Sequence, residues 1–250
     1  MGGVSKGEWT LSSARIFLEN GNWLGSLPAP MRNRIIDSGE IVCVGGHSAL
    51  YKIGDPVNGL YATLEGDVRA YAYGDENERI FLRALGPGSW FGDVHLLDNY
   101  PKRTFEAWAE SSATLLFLPA ASYRKLTEDD PACYRAFVKL MCIHMRHTVR
   151  VLVEARSEAP RRAARALIRL AVAHGIPTAD GLRLAMNLSQ GDLASLVGVS
   201  RQYMNELIAG WEQNGFVRWN GKSQPVLNVE RLSTLLSPLD RWIEDSEDWV

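Results

Sequence analysis

The chain has 250 residues, 46% of them hydrophobic and 22% charged, with a formal net charge of −2, a composition that suits two domains with real hydrophobic cores. No run of about 18 apolar residues occurs, and MGGVSKGEWT lacks the apolar centre of a signal peptide, so the expectation is a cytoplasmic protein with no membrane partner. Cys43, Cys133 and Cys142 form no CxxC-type cluster, which argues against structural zinc, a thiolate-held iron–sulfur centre and a disulfide scaffold.

In chain order, SARIFLEN and MRNRIID are short helical segments, separated by GNWLGSLPAP. From Glu40 to Leu118 the period changes. IVCV, SALYKI, GLYATL, VRAYAY, RIFLRAL and ATLLFL are short runs rich in Val, Ile, Leu and Tyr, and the Gly, Pro, Asn and Asp between them are turn formers. The pattern predicts an antiparallel roll or barrel of about eight strands, a closed sheet of the size that holds one small ligand.

One stretch, GPGSWFGDVHLLDNYPKRTFEAWA, interrupts that spacing. Gly86, Gly88 and Gly92 permit tight turns, and Asp93, Lys102 and Arg103 follow. Backbone N–H groups with an arginine fork suit a phosphate, and a carboxylate suits sugar hydroxyls. An ordinary turn with a surface ion pair explains the same residues. His95 reads as a packing or surface residue, because no second histidine or cysteine stands at ligand spacing.

The stretch Pro131–Arg156 has no internal Gly or Pro after its first residue and predicts one helix of roughly 26 residues, about 39 Å long. Pro131 suits its first turn, with Asp129 and Asp130 placed to cap it. Phe137, Met141, Thr148, Leu152 and Ala155 form a mostly apolar stripe, expected to pair with a second copy of itself in a homodimer, or else to pack on its own domain. His144 and Thr148 fall near that seam.

After RRAARALIRLAVAHG, a helix carrying Arg161, Arg162, Arg165 and Arg169, the stretch LSQGDLASLVGVSRQYMNELIAGWEQNGFVRW follows. Ser189 caps a helix from Gln190, Gly198 breaks it, and Ser200 caps a second helix whose inward stripe is Met204, Leu207, Ile208 and Trp211. FVRW, an Asn220–Gly221 turn and PVLNV complete the order of a winged helix-turn-helix. On the second helix Arg201, Gln202, Tyr203, Asn205 and Glu206 are left facing out. Arg201, Gln202 and Asn205 carry the donor and acceptor patterns that read base edges in a major groove. The fold class is therefore α+β. Residues 1–128 are expected to form a sensor domain with the roll, 129–157 the long helix, 158–239 the winged helix-turn-helix and 240–250 an acidic tail, either solvated or screening the arginine cluster.

Together these motifs resemble the cyclic AMP receptor/FNR (Crp/Fnr) family of bacterial transcription regulators, from about Met31 to Leu235. The resemblance implies a cyclic-nucleotide-binding-like roll, a dimerisation helix and a DNA-reading domain that contacts a palindromic operator and RNA polymerase, with no catalytic residue and no metal. The family's Gly-Glu pair, which takes the ribose, falls on Gly92 and Asp93; its Arg-Ser pair, which takes the phosphate, falls on Arg103 and Thr104. His144 and Thr148 are the lid positions. Asp93 is one methylene shorter than glutamate, so no cofactor is assigned; a cyclic nucleotide or another small anionic effector is the class implied. Cys43 and His47 are the residues of the type that haem-binding relatives use. The family's exposed Arg, Glu and Arg on the reading helix become Arg201, Gln202 and Glu206, which implies a different operator. The competing function is a small-molecule sensor that acts through protein contacts without specific DNA binding.

Overall fold

The computed structural model describes residues 9–97, 100–219 and 224–236, with the side chains of residues 153 and 154 excepted. The expected wing turn at Asn220–Gly221 and the acidic tail lie outside the described residues. Contacts divide the chain into two compact units. One contains the residues up to Ala70 with Leu85–Ile143; the other contains Tyr71–Ala84 with the chain from His144 onward.

The first unit opens with three short helices, α1 (Leu11–Leu18), α2 (Asn22–Gly25) and α3 (Ala29–Asp37). Thr10 and Ser13 form a reciprocal capping box at the start of α1, satisfying two N–H groups that a helix end leaves over. The roll then runs through β1 (Glu40–Val44), β2 (Ser48–Tyr51), β3 (Gly59–Glu65), β4 (Val68–Tyr73), β5 (Arg79–Ala84) and β6 (Trp90–Phe91), the short α4 (Val94–Leu97), β7 (Glu106–Ala109) and β8 (Ala113–Pro119). These strands make two four-stranded sheets, in the orders β1-β8-β3-β6 and β2-β7-β4-β5. The interruption expected between the strands is β6, α4 and the loop leading to β7.

Alternation along β8 shows how the roll is covered. Leu115 and Phe117 pack inside with Tyr51, Tyr61 and Phe91, whereas Leu116 and Leu118 pack outside against the helices. The outer cluster joins Leu18, Trp23, Ile35, Ile36, Tyr123 and Phe137. Trp23 contributes both area and a specific bond, because its indole N–H donates to the Ala136 carbonyl at 2.7 Å. α5 (Ala120–Asp129) leads into the long helix α6, which covers Pro131–Glu154. Asp130 accepts from the Ala132 N–H at 2.8 Å; this bond, with the Arg34 guanidinium, holds the Asp130 carboxyl below its usual range.

The two halves of α6 differ. Cys133, Ala136, Phe137, Leu140 and Ile143 are buried, whereas none of the described side chains from His144 to Arg156 is. Phe137, expected in the dimer seam, is fully buried in the chain's own core against Trp23 and Tyr123, so this correction removes it from any intermolecular stripe. Met141 is half-buried, and Leu152 and Ala155 are exposed. Among the exposed apolar groups of α6, which also include Tyr134 and Val151, Cys142, Met145, Val149 and Leu152 stand at spacings of three, four and three.

The second unit holds α7 (Ala159–His174), β9 (Gly175–Thr178), β10 (Gly181–Leu184), α8 (Gln190–Val197), α9 (Arg201–Gln213), β11 (Val217–Arg218), β12 (Val226–Leu227) and α10 (Val229–Ser233). Its sheet has the order β11-β12-β10-β9. GIPT forms strand β9, paired antiparallel with β10. The arginines of α7 do not form one exposed cluster. Arg165 is buried with Nη1 on Ser157 Oγ at 3.2 Å, and Arg162 donates Nε to the Val197 carbonyl at 2.9 Å. The outer half of the β4–β5 hairpin belongs to this unit, where the Phe81 N–H donates to Ser195 Oγ at 3.0 Å.

Candidate functional sites in the roll and on the second helix

In the roll, pairing of Tyr61 with Phe91 and of Ala62 with Trp90 brings the start of β3 beside the end of β6, so Gly59 and Gly92 are neighbours. Gly92 has φ +89, and a Cβ there would stand 2.9 Å from Arg103 Nη1 and 3.3 Å from the Gly59 carbonyl. Arg103 is 1% exposed. Its Nη1 donates to the Gly92 carbonyl at 3.0 Å, and its Nη2 donates to the Gly59 carbonyl at 2.6 Å and to Asn58 Oδ1 at 2.8 Å. The guanidinium carbon sits 4.1 Å from the centre of the Tyr51 ring. Burial pushes the guanidinium down and the Tyr51 phenol up. Arg103 Nε and the Tyr51 hydroxyl are buried polar atoms with no hydrogen-bond partner among the described residues.

Of the residues expected to meet an effector, the roll brings Gly92, Asp93 and Arg103 together, with Asp93 2% exposed and acting electrostatically on Arg103. Thr104 is exposed, and its hydroxyl is 3.0 Å from Nε2 of the buried His95. His144 and Thr148 belong to the second unit, where Thr148 Oγ1 donates to the His144 carbonyl at 3.0 Å. Asn58, Gly59 and Tyr51 were not foreseen as partners of Arg103. The only signal was the Asn-Gly pair, which marks a turn and says nothing about what faces it. Among the described residues no group of three or more His, Cys, Asp or Glu side chains is placed to hold a metal ion.

The second site is built by local rules. Ser189 and Asp192 form a capping box at the start of α8, and the helix ends at Gly198 with φ +73. Val199 and Ser200 complete the turn, and Ser200 Oγ accepts from the Tyr203 N–H at 3.1 Å. Leu193, Ala194 and Val197 on α8 and Met204, Ile208 and Trp211 on α9 are buried. Leu207, expected in that stripe, is only partly buried. With the inner face occupied, Arg201, Gln202, Tyr203, Asn205 and Glu206 are all exposed. Gln202 Nε2 donates to Glu206 Oε1 at 3.2 Å. Behind the helix, Gly215 reverses the chain into β11, and Glu212 accepts from the Trp219 N–H at 2.6 Å.

Comparison with known proteins agrees with this two-part layout. The cyclic nucleotide-binding domain family matches residues 42–130, and the Crp-like helix-turn-helix domain family matches residues 161–235, together well over half of the chain. The chain belongs to the Crp/Fnr family of transcription regulators. It is 27% identical over 189 residues to the CRP-like cAMP-activated global transcriptional regulator of Mycobacterium tuberculosis, covering 75% of this chain and 84% of that one. Its fold is similar to FixK2 from Bradyrhizobium japonicum, with a TM-score of 0.69 and 20% identity over 80% of this chain and 98% of that one. It is also similar to the c-di-GMP responsive regulator CLP from Xanthomonas campestris, with a TM-score of 0.67 and 19% identity over 80% of this chain and 99% of that one. No helix among the described residues of this Crp/Fnr regulator is long and apolar enough to cross a membrane.

Proposed function

We propose that this chain is a homodimeric regulator that reads a palindromic DNA operator through α9 and works with RNA polymerase. The observation that carries the reading is the outward set Arg201, Gln202, Tyr203, Asn205 and Glu206, on a Ser-capped helix whose opposite face is buried. A helix so presented meets base edges with its first turns and phosphates with its capped N-terminus. Two such helices related by a two-fold axis address half-sites about one helical turn apart. The dimer supplies that axis, and the exposed stripe of Cys142, Met145, Val149 and Leu152, with Ala155 beyond it, has the spacing of a paired helix. Light scattering at micromolar concentration should give about twice the chain mass of 27.8 kDa, and Leu152→Asp should return it to one. Selection from random duplexes tests DNA reading directly. Enrichment of a two-fold symmetric sequence supports it, and no enrichment leaves a sensor that acts through protein contacts.

The effector follows from chemistry rather than from kinship, because one relative is named for cAMP and one similar structure for c-di-GMP. An anionic ligand entering the roll meets Gly92, Asp93, Arg103 and Thr104. Three of the five guanidinium N–H groups of Arg103 are held by Gly59, Gly92 and Asn58, and Thr104 is held by His95, which leaves Nε–H and one Nη1 N–H for an anionic group. An anionic effector that takes those two N–H groups satisfies the buried Nε and leaves the bonds to the Gly59 and Gly92 carbonyls in place. Calorimetry with cyclic AMP and cyclic GMP, on wild type and on Arg103→Ala, checks this: binding by wild type that Arg103→Ala leaves unchanged would overturn it.

A further inference from the structure

The reading helix carries a pairing that the roles of its separate residues do not anticipate. Gln202 and Glu206 stand four residues apart on the exposed face of α9, one turn above the other, with Met204 and Ile208 buried behind them. Their side chains are joined by the 3.2 Å bond from Gln202 Nε2 to Glu206 Oε1. A carboxylate only accepts, so it selects which end of the amide faces it: the NH2 group turns toward Glu206 and the carbonyl oxygen turns away, toward the start of the helix. One amide N–H is then engaged, leaving the other N–H and Oε1 as a donor and acceptor side by side.

That remaining pair matches the major-groove edge of adenine, whose N6 donates and whose N7 accepts. An unsupported glutamine would divide its time between two amide orientations, only one of which fits. From this geometry we infer that Glu206 is a positioning residue, which orients Gln202 to read an adenine in each half-site. The inference rests on the DNA-reading function proposed above. It also assigns the carboxylate a place in a helix that approaches a polyanion. Taken alone, Glu206 would repel phosphate or accept from cytosine N4; held by Gln202, it serves the neighbouring base contact instead.

The test uses the full-length chain and the duplex obtained by selection. One position in each half-site should require adenine, with replacement by another base weakening binding by about tenfold or more. Replacing that adenine with 7-deazaadenine, which lacks the N7 acceptor, should weaken binding several-fold at that position and at no neighbouring adenine outside Gln202's reach. Gln202→Ala should abolish both effects. Glu206→Ala should raise affinity for all duplexes, by removing a negative charge, yet reduce the adenine preference and the 7-deaza penalty. Glu206→Gln, whose carbonyl oxygen can still accept from Gln202, should retain both. A position that requires cytosine, losing its preference in Glu206→Ala and keeping it in Gln202→Ala, would show that Glu206 reads a base directly and would overturn the inference. So would an adenine preference unchanged by Glu206→Ala. If no duplex is enriched by wild type at all, the DNA-reading function itself falls, and the inference with it; in the other two cases the function stands and only the role of Glu206 is lost.

Discussion

Two arginines in similar motifs, each beside a glycine turn with φ near +80°, have opposite surroundings. In the roll, Arg103 is buried, stacked on Tyr51, and tied to the Gly59 and Gly92 carbonyls and to Asn58. At the turn between α8 and α9, Arg201 is exposed at the first position of its helix. Enclosure makes the first arginine part of the fold: its charge is out of water, and its bonds must be kept for the buried carbonyls to remain satisfied. Exposure leaves the second available to a partner, because water satisfies its donors in the free chain. The same side chain is therefore enclosed by the fold in one place and left open in the other, and local sequence does not distinguish the two.

The largest effect is expected at the buried end. Arg103→Ala removes the guanidinium donor from two backbone carbonyls, leaves Asn58 Oδ1 with the Tyr61 hydroxyl alone, and should destabilise the first unit by more than about 3 kcal/mol in urea unfolding. A loss below about 1 kcal/mol would show that water replaces the guanidinium readily, and the contrast would weaken. Arg201→Ala should leave the urea midpoint unchanged and cost about 1–3 kcal/mol of binding on the selected operator, with much less lost on random duplex. An equal loss on every sequence would make Arg201 a phosphate contact.

The two glycines sharpen the comparison further. Gly198 has φ +73 with nothing within 4 Å of an added Cβ, so Gly198→Ala should cost only the backbone strain, about 1–2 kcal/mol. Gly92→Ala adds the approach to Arg103 Nη1 and the Gly59 carbonyl and should cost more in the same assay. The smallest effect concerns a basic group that is partly enclosed. Burial, followed by the positive charges of Arg83, Arg169, Arg150 and His144, pushes His147 from 6.5 down to about 3. The unfolded chain then takes up that proton first, so stability should fall as pH drops from about 6.5 toward 3. His147→Gln should flatten that part of the stability–pH curve. An NMR titration of His147 with a midpoint near 6.5 would contradict the shift.

How much of this was readable beforehand depended on the distance over which each feature is decided. The caps at Ser189 and Ser200, the turn at Gly198 and the outward set on α9 are settled within four residues along the chain, and sequence spacing located them. Six strands of the roll, β1–β5 and β8, are equally legible, because alternation and turn residues are local too, whereas β6 and β7 lie inside the Gly-rich interruption. β9 is decided at longer range: GIPT has no alternation of its own and becomes a strand because β10 pairs with it. Phe137 was misassigned for a related reason. Its spacing on α6 suits a dimer stripe, but Trp23 and Tyr123, both supplied by other elements, enclose it.

By itself, the sequence determined the order of elements, the helix ends, the turn glycines and the face that α9 turns outward, all of which follow from backbone sterics and from hydrogen bonds between near neighbours. Tertiary structure alone decided the surroundings of Arg103, whose acceptors at Asn58 and Gly59 lie more than forty residues earlier and arrive through the pairing of β3 with β6. It also decided which apolar stripe of α6 stays open, since burial depends on what the rest of the chain brings to a helix and not on the helix's own spacing.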